Sequence, residues 1–152
     1  MSAALILASS APTWAREPLD GTYLTLGPVG AGAHVAGEWV TAVGGELSVV
    51  QVVEDRFPAA LGVSGGGVSY GGRSGGRLWL EVEAATGGPL PLGLGAGVTT
   101  EVDHMRPYRL GGQATAWIFI GIVPYVRVGV LQETGRFLEA GVMFKIPARR
   151  FP

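Results

Sequence analysis

Residues 90–103 read Leu-Pro-Leu-Gly-Leu-Gly-Ala-Gly-Val-Thr-Thr-Glu-Val-Asp. The even positions, Leu90, Leu92, Leu94, Ala96, Val98, Thr100 and Val102, are apolar or β-branched. The odd positions, Pro91, Gly93, Gly95, Gly97, Thr99, Glu101 and Asp103, are small or charged. Successive side chains of a strand point to opposite faces, so a period of two over this length predicts a strand with one apolar face.

The same unit recurs on both sides of this stretch. Strands are predicted near 21–34, 38–53, 59–71, 76–86, 90–103, 107–119, 124–132 and 136–147. Gly, Pro and Asp cluster in most of the links between them, as turn geometry requires. Seven short links joining eight strands predict an antiparallel meander. The alternation is clearest in the second half. Leu78, Leu80, Val82 and Ala84 oppose Arg77, Trp79, Glu81 and Glu83. Val126, Val128 and Val130 oppose Tyr125, Arg127 and Gly129, and Leu138, Ala140, Val142 and Phe144 oppose Phe137, Glu139, Gly141 and Lys145. In the first half Leu47 and Val49 oppose Glu46 and Ser48, but residues 50–53 lose phase, for which a bulge is one explanation.

Composition bounds the class. A chain of 152 residues makes one domain. Charged residues are 15% of it, against roughly 25% in soluble domains. A net charge of −1 leaves no electrostatic footprint for nucleic acid. Cysteine is absent, which removes disulfides and thiolate metal sites. The single lysine and the lack of asparagine follow equally from a GC-rich coding sequence, so the alternation carries the argument. The longest apolar run, 114–123, is about half of the ~20 residues that a membrane helix needs. Residues 1–15 have an apolar core at Leu5, Ile6 and Leu7 followed by small residues, but no charged start, and read as a truncated or cleavable signal-like leader.

An alternating barrel can face either way: apolar side in for a soluble barrel, apolar side out for a membrane barrel. Glycine placement separates the two. Gly93, Gly95, Gly97, Gly111, Gly129 and Gly141 share the polar face, with Gly112 alone opposite. On a solvated surface they would only weaken strands. Inside a narrow eight-stranded barrel they make room for large neighbours. Charge points the same way, because a hairpin turning at Met105 sets Glu101 opposite Arg109, and Arg127 and Glu139 are direct or diagonal neighbours depending on register. Near balance of charge is what a closed lumen requires, since an unpaired buried ion is costly. The expected lumen network is therefore Arg77, Glu81, Glu83, Glu101, Arg109, Arg127, Glu139 and Lys145. The expected lipid-facing band is Leu78, Leu80, Val82, Leu92, Leu94, Val98, Ile118, Val126, Val128, Val142 and Phe144.

Aromatics lie near strand ends at Tyr23, Trp39, Phe57, Tyr70, Tyr108, Tyr125 and Phe137, as in the interfacial girdles of membrane barrels, while Trp79 and Trp117 fall on the polar face. Phe151 adds an aromatic near the terminus, although Pro147 and Pro152 flank that ending. With these features, about residues 20–147 resemble the small eight-stranded outer-membrane β-barrel proteins. The resemblance is one of architecture. It implies an all-β, eight-stranded antiparallel up-and-down (meander) transmembrane β-barrel, with 16–152 as a single domain. It also implies an outer-membrane location in a Gram-negative envelope, with the lipid bilayer as partner and envelope proteins or self-association beyond it. That group includes passive anchors, adhesion-type barrels and lipid-modifying enzymes; the short turns here argue against adhesive loops.

Little catalytic chemistry is legible. The acid–base candidates are His34 and His104, and His104 falls in a turn. A spatial triad of His34 with Ser69 or Ser74 is the one enzymatic arrangement open to the chain. Two histidines without cysteine give no zinc set, and the glycine clusters at 65–67 and 71–76 lack the Lys-Ser/Thr of a phosphate loop. Glu81 and Glu83 share one face of one strand and read as ion-pair partners rather than glycosidase acids. No catalytic residue, metal or cofactor is assigned. The expectation is a non-enzymatic envelope-anchoring or partner-associating barrel with a plugged, ion-paired lumen. The alternatives are a soluble lipocalin-like barrel holding a lipophilic ligand and a lipid-modifying barrel enzyme.

Overall fold

The computed structural model describes residues 19–103 and 106–151. The signal-like leader at 1–15 and His104 lie outside them. Nine strands follow in order: β1 (Gly21–Val35), β2 (Glu38–Val52), β3 (Ala60–Tyr70), β4 (Gly76–Ala85), β5 (Leu92–Asp103), β6 (Arg106–Ile118), β7 (Val123–Leu131), β8 (Gly135–Met143) and β9 (Ile146–Phe151). Each pairs antiparallel with its sequence neighbour from β1 through β8, and β1 then pairs with both β8 and β9, closing the sheet. β8 and β9 run end to end beside β1, so the barrel has eight staves and the last is broken.

Closure fixes the shape. From Val50 on β2, the paired residues run through Gly62, Glu83, Gly95, Thr115, Arg127, Glu139 and Ala33, and return to β2 at Val40. The path has slipped ten residues along β2 in one circuit. With strands ~4.8 Å apart rising ~3.3 Å per residue, eight strands and that stagger give a tilt of about 40° and a backbone radius of roughly 8 Å. Such an interior is just wide enough for side chains to fill.

The described links at one end, 36–37, 71–75 and 132–134, are short. β1 and β2 are joined by Ala36 and Gly37 alone, both with positive φ (53° and 87°), the conformation that matches strand twist in a two-residue hairpin. We call this the hairpin end. The opposite end carries the start of β1, the end of β9 and the links 53–59, 86–91 and 119–122; we call it the terminal end.

Four details differ from the sequence reading. First, β5 starts at Leu92, leaving Leu90 and Pro91 in the preceding link, where the missing N–H of Pro91 removes no ladder bond. Second, the last stave is interrupted at Phe144 and Lys145 and runs on to Phe151, beyond the expected end at 147. These two residues lie opposite Gly27 and Pro28. Pro28 has no N–H to donate, though its carbonyl accepts from Phe144 N at 3.1 Å. Gly27 is needed there because a Cβ would stand 1.6 Å from the Phe144 carbonyl oxygen. Third, there is no bulge at 50–53: β2 keeps one register against both neighbours. Val50 and Val52 point inward and Gln51 outward, so it is the polarity of the faces that changes there. Fourth, Tyr70, Tyr125 and Phe137 do not join a girdle. Their parity is that of the inward charges, and all three are buried inside. Trp39 and Phe57 are exposed, and the Tyr108 side chain lies outside the described residues.

Candidate functional site

Each inward ion is aimed by strand parity. Arg77, Glu81 and Glu83 are alternate or near-alternate residues of β4, Arg127 sits mid-β7 and Glu139 mid-β8, all on the inner face. Arg77, Arg127 and Glu139 are wholly inaccessible to solvent, at 0% exposure. Glu139 is the hub of the middle of the lumen. Its carboxylate accepts from Arg77 Nη2, from Arg127 Nη1 at 3.0 Å and from the Tyr125 hydroxyl at 2.7 Å. Arg127 also donates through Nε to Thr115 Oγ1 at 2.9 Å and reaches Glu46 and Glu81 at 3.6 and 3.7 Å. Glu81 accepts in turn from Gln113 Nε2 and Thr115 Oγ1 at 2.8 and 2.7 Å.

Two smaller groups flank this hub. Toward the hairpin end, Glu101 pairs with Arg109 at 3.1 Å and with Arg73 at 2.9 Å. Toward the terminal end, Lys145 Nζ donates to both oxygens of Glu83 at 2.6 and 2.8 Å and pairs with Glu46 at 3.2 Å. All eight ions expected in the lumen thus lie in these three groups. Two partners escaped sequence reasoning. Glu46 lies in the less regular first half, although its parity with Ser48 carried the signal. Arg73 comes from the β3–β4 turn, where no strand parity exists to read. With them the groups hold Arg73, Arg77, Arg109, Arg127 and Lys145 against Glu46, Glu81, Glu83, Glu101 and Glu139, and the exposed Glu133 of the β7–β8 turn adds a looser contact to Arg109 at 3.7 Å.

Aromatic rings fill the space between these ions, and the glycines make that possible. Trp79 lies opposite Gly66, Trp117 opposite Gly93, Tyr125 opposite Gly141 and Phe137 opposite Gly129. A Cβ at Gly93 would fall 2.1 Å from the Trp117 ring, and one at Gly129 would fall 2.4 Å from the Phe137 ring. The Trp79, Trp117 and Phe137 rings thus fold over the bare backbone of Gly66, Gly93 and Gly129. The arginines stack on them: Arg127 is 4.1 Å from the Trp79 ring centre and Arg77 is 4.1 Å from that of Phe137. Cation–π contact of this kind is strongest when both groups are desolvated.

The outer face is the reverse. Leu78, Leu80, Val82, Leu92, Leu94, Val98, Val126, Val128 and Phe144 are all exposed, Leu94 at 69% and Val98 at 61%, while Ile118 and Val142 are half-buried. Leu26, Val43, Leu47, Val49, Leu61 and Val63 continue this surface across β1, β2 and β3. His34 is on this outer side, its ring centre 5.3 Å from that of Trp39, and β2 stands between its strand and that of Ser69. Among the described residues no group of His, Asp, Glu or Cys is arranged to hold a metal ion.

The terminal end also holds a cavity of about 500 Å³. Its walls include Val52, Ala60, Ala85, Pro91, Trp117 and Phe119, with Lys145 at its inner limit. A recess of about 130 Å³ continues inward past Val50 to Glu83 and Lys145.

The chain matches no known family model, no curated protein and no solved structure. Its class is therefore defined by fold and interior alone: an all-β, eight-stave, closed antiparallel meander barrel, with ions and rings packed inside and aliphatic side chains outside.

Proposed function

We propose that this barrel is an integral outer-membrane protein of a Gram-negative envelope, delivered by a signal peptide, and that it acts as a non-enzymatic anchor or partner-associating barrel. One observation carries the reading, namely the inversion of burial. Arg77, Arg127 and Glu139 are at 0% exposure, whereas the Leu and Val of the outer face stand open on every strand from β1 to β8. A soluble monomer rarely exposes a contiguous apolar patch beyond a few hundred Å². A lipocalin-like barrel for a lipophilic ligand would put those aliphatics inside. In a bilayer the arrangement is favourable, because pairing around the closed sheet leaves no open strand edge and the aliphatics meet lipid. Strand length also agrees. The eight staves include strands of nine to fifteen residues, and a tilted membrane strand needs about 9–11.

The same packing argues against transport. The central ions and rings leave no aqueous path, as expected for eight strands. The role that follows is attachment to the envelope, with partners among lipids, envelope proteins or further copies of the chain. Cell fractionation combined with heat-modifiable gel mobility tests it. The expected result is an outer-membrane fraction and a band that shifts on boiling. Monodisperse behaviour in detergent-free buffer would overturn it.

A further inference from the structure

The charged filling of the lumen stops short of the terminal end. Its last members are Lys145, Glu83 and Glu46, and beyond them the inner face of the wall turns to Val50, Val52, Ala60, Ala85 and Trp117. The alternation has not slipped, because β2 keeps its register there. The inner face has instead become apolar where the described residues leave a cavity of about 500 Å³, narrowing to a recess of about 130 Å³. A lipid-facing exterior does not call for this, since these residues point the other way. Apolar concave walls with a few polar groups, at 300–1,000 Å³, are the usual form of a small-molecule site.

The floor says which part of a ligand enters. The Lys145 ammonium donates to both oxygens of Glu83, at 2.6 and 2.8 Å, and forms an ion pair with Glu46 at 3.2 Å, so one cation faces two carboxylates. The Trp117 ring covers it at 5.1 Å. An incoming carboxylate or phosphate would have to break those contacts, so the floor accepts only an apolar end. Thr25, which also lines the recess, has its hydroxyl bonded to Ser48 at 2.7 Å, and the other polar groups are at the mouth, on Glu54 and Thr86. An eight-stranded barrel of this radius has width for one slender ligand. We propose that this vestibule binds the single hydrocarbon chain of an amphiphile, tail first, with its head left at the Glu54–Thr86 rim. The inference rests on the geometry of this end and stands apart from where the outer face resides.

Photolabelling tests it. The full chain would be reconstituted in vesicles of phosphatidylethanolamine and phosphatidylglycerol containing lysophosphatidylcholine with a diazirine at the tail of its chain. On irradiation the diazirine loses dinitrogen and the carbene inserts into the nearest bond, which mass spectrometry locates. Label on Val50, Val52, Trp117 or Lys145, partly lost in Ala60→Leu and abolished in Ala60→Trp, supports the proposal. Heat-modifiable mobility verifies that both variants are folded. Label confined to outer residues such as Leu94 and Val128 overturns it and leaves the membrane reading standing. Vestibule label with a bare outer face supports it and removes the membrane reading. Vestibule label that both Ala60 variants retain overturns it.

Discussion

The two ends of the lumen are built from the same wall and yet finish differently. At the hairpin end the inward residues are large and sealed: Val35, Tyr70, Leu131 and Phe137 are all below 5% exposed. At the terminal end the inward positions of β2 to β5 are Val52, Ala60, Ala85 and Gly93, too small to meet across the barrel, although Val123 at the start of β7 is wholly buried. Trp117 is folded back over Gly93 and does not cross the gap. The hairpin end also carries the Arg73–Glu101–Arg109 ion group, whereas the charges of the terminal end stop at Lys145, Glu83 and Glu46. Side-chain volume differs as well, and it decides which end is packed shut.

Substitutions can break or sharpen that contrast. The largest effect is expected at the hub between the ends. Glu139→Ala strands Arg77 and Arg127 without their shared carboxylate, and removal of one member of a buried ion group costs ~3–5 kcal/mol. Urea unfolding in vesicles or micelles should register this loss. Next is Val128→Arg, on the outer face in mid-β7, expected to cost ~2–4 kcal/mol in a bilayer near its midplane. The same unfolding assay in vesicles would read it, and a cost near zero would favour a solvated exterior.

Smaller effects compare the ends directly. Gly129→Ala adds one carbon where a Cβ would lie 2.4 Å from Phe137 and 2.6 Å from the Gly112 carbonyl oxygen. Overpacking of that kind costs ~1–3 kcal/mol, visible as a lowered unfolding midpoint. Ala60→Leu adds three carbons at an inward site of the terminal end, yet it points into the vestibule. Its stability should stay within ~0.5 kcal/mol of the parent in the same titration. If the two substitutions cost the same, the ends do not differ in packing.

Much of this was legible in the chain. Period-two alternation located the strands and separated inward from outward residues, because parity is a property of the backbone and survives any register. The Glu101–Arg109 pairing follows from a hairpin turning at Met105, whereas parity leaves Arg127 and Glu139 either direct or diagonal; both pairs are direct cross-strand partners. What could not be read depends on closure. Glu46 meets Lys145 only because β1 brings β2 around to the last stave. Tyr70, Tyr125 and Phe137 lie near strand ends, and proximity to an end says nothing about side, which parity alone determines. The fading alternation at 50–53 was informative for another reason than a bulge. It marks the level where the inner face of β2 changes from Glu46 and Ser48 to Val50 and Val52, and so the threshold of the vestibule.

Lys145, wedged behind Trp117 against two glutamates, is the only lysine in the chain. Apart from the α-amino group, an acylating reagent therefore has a single amine to find, and it sits below the rim, held against Glu83 and Glu46. Acylation of that one side chain becomes a clock on how often the barrel gapes, supplied by the native sequence with no engineered tag.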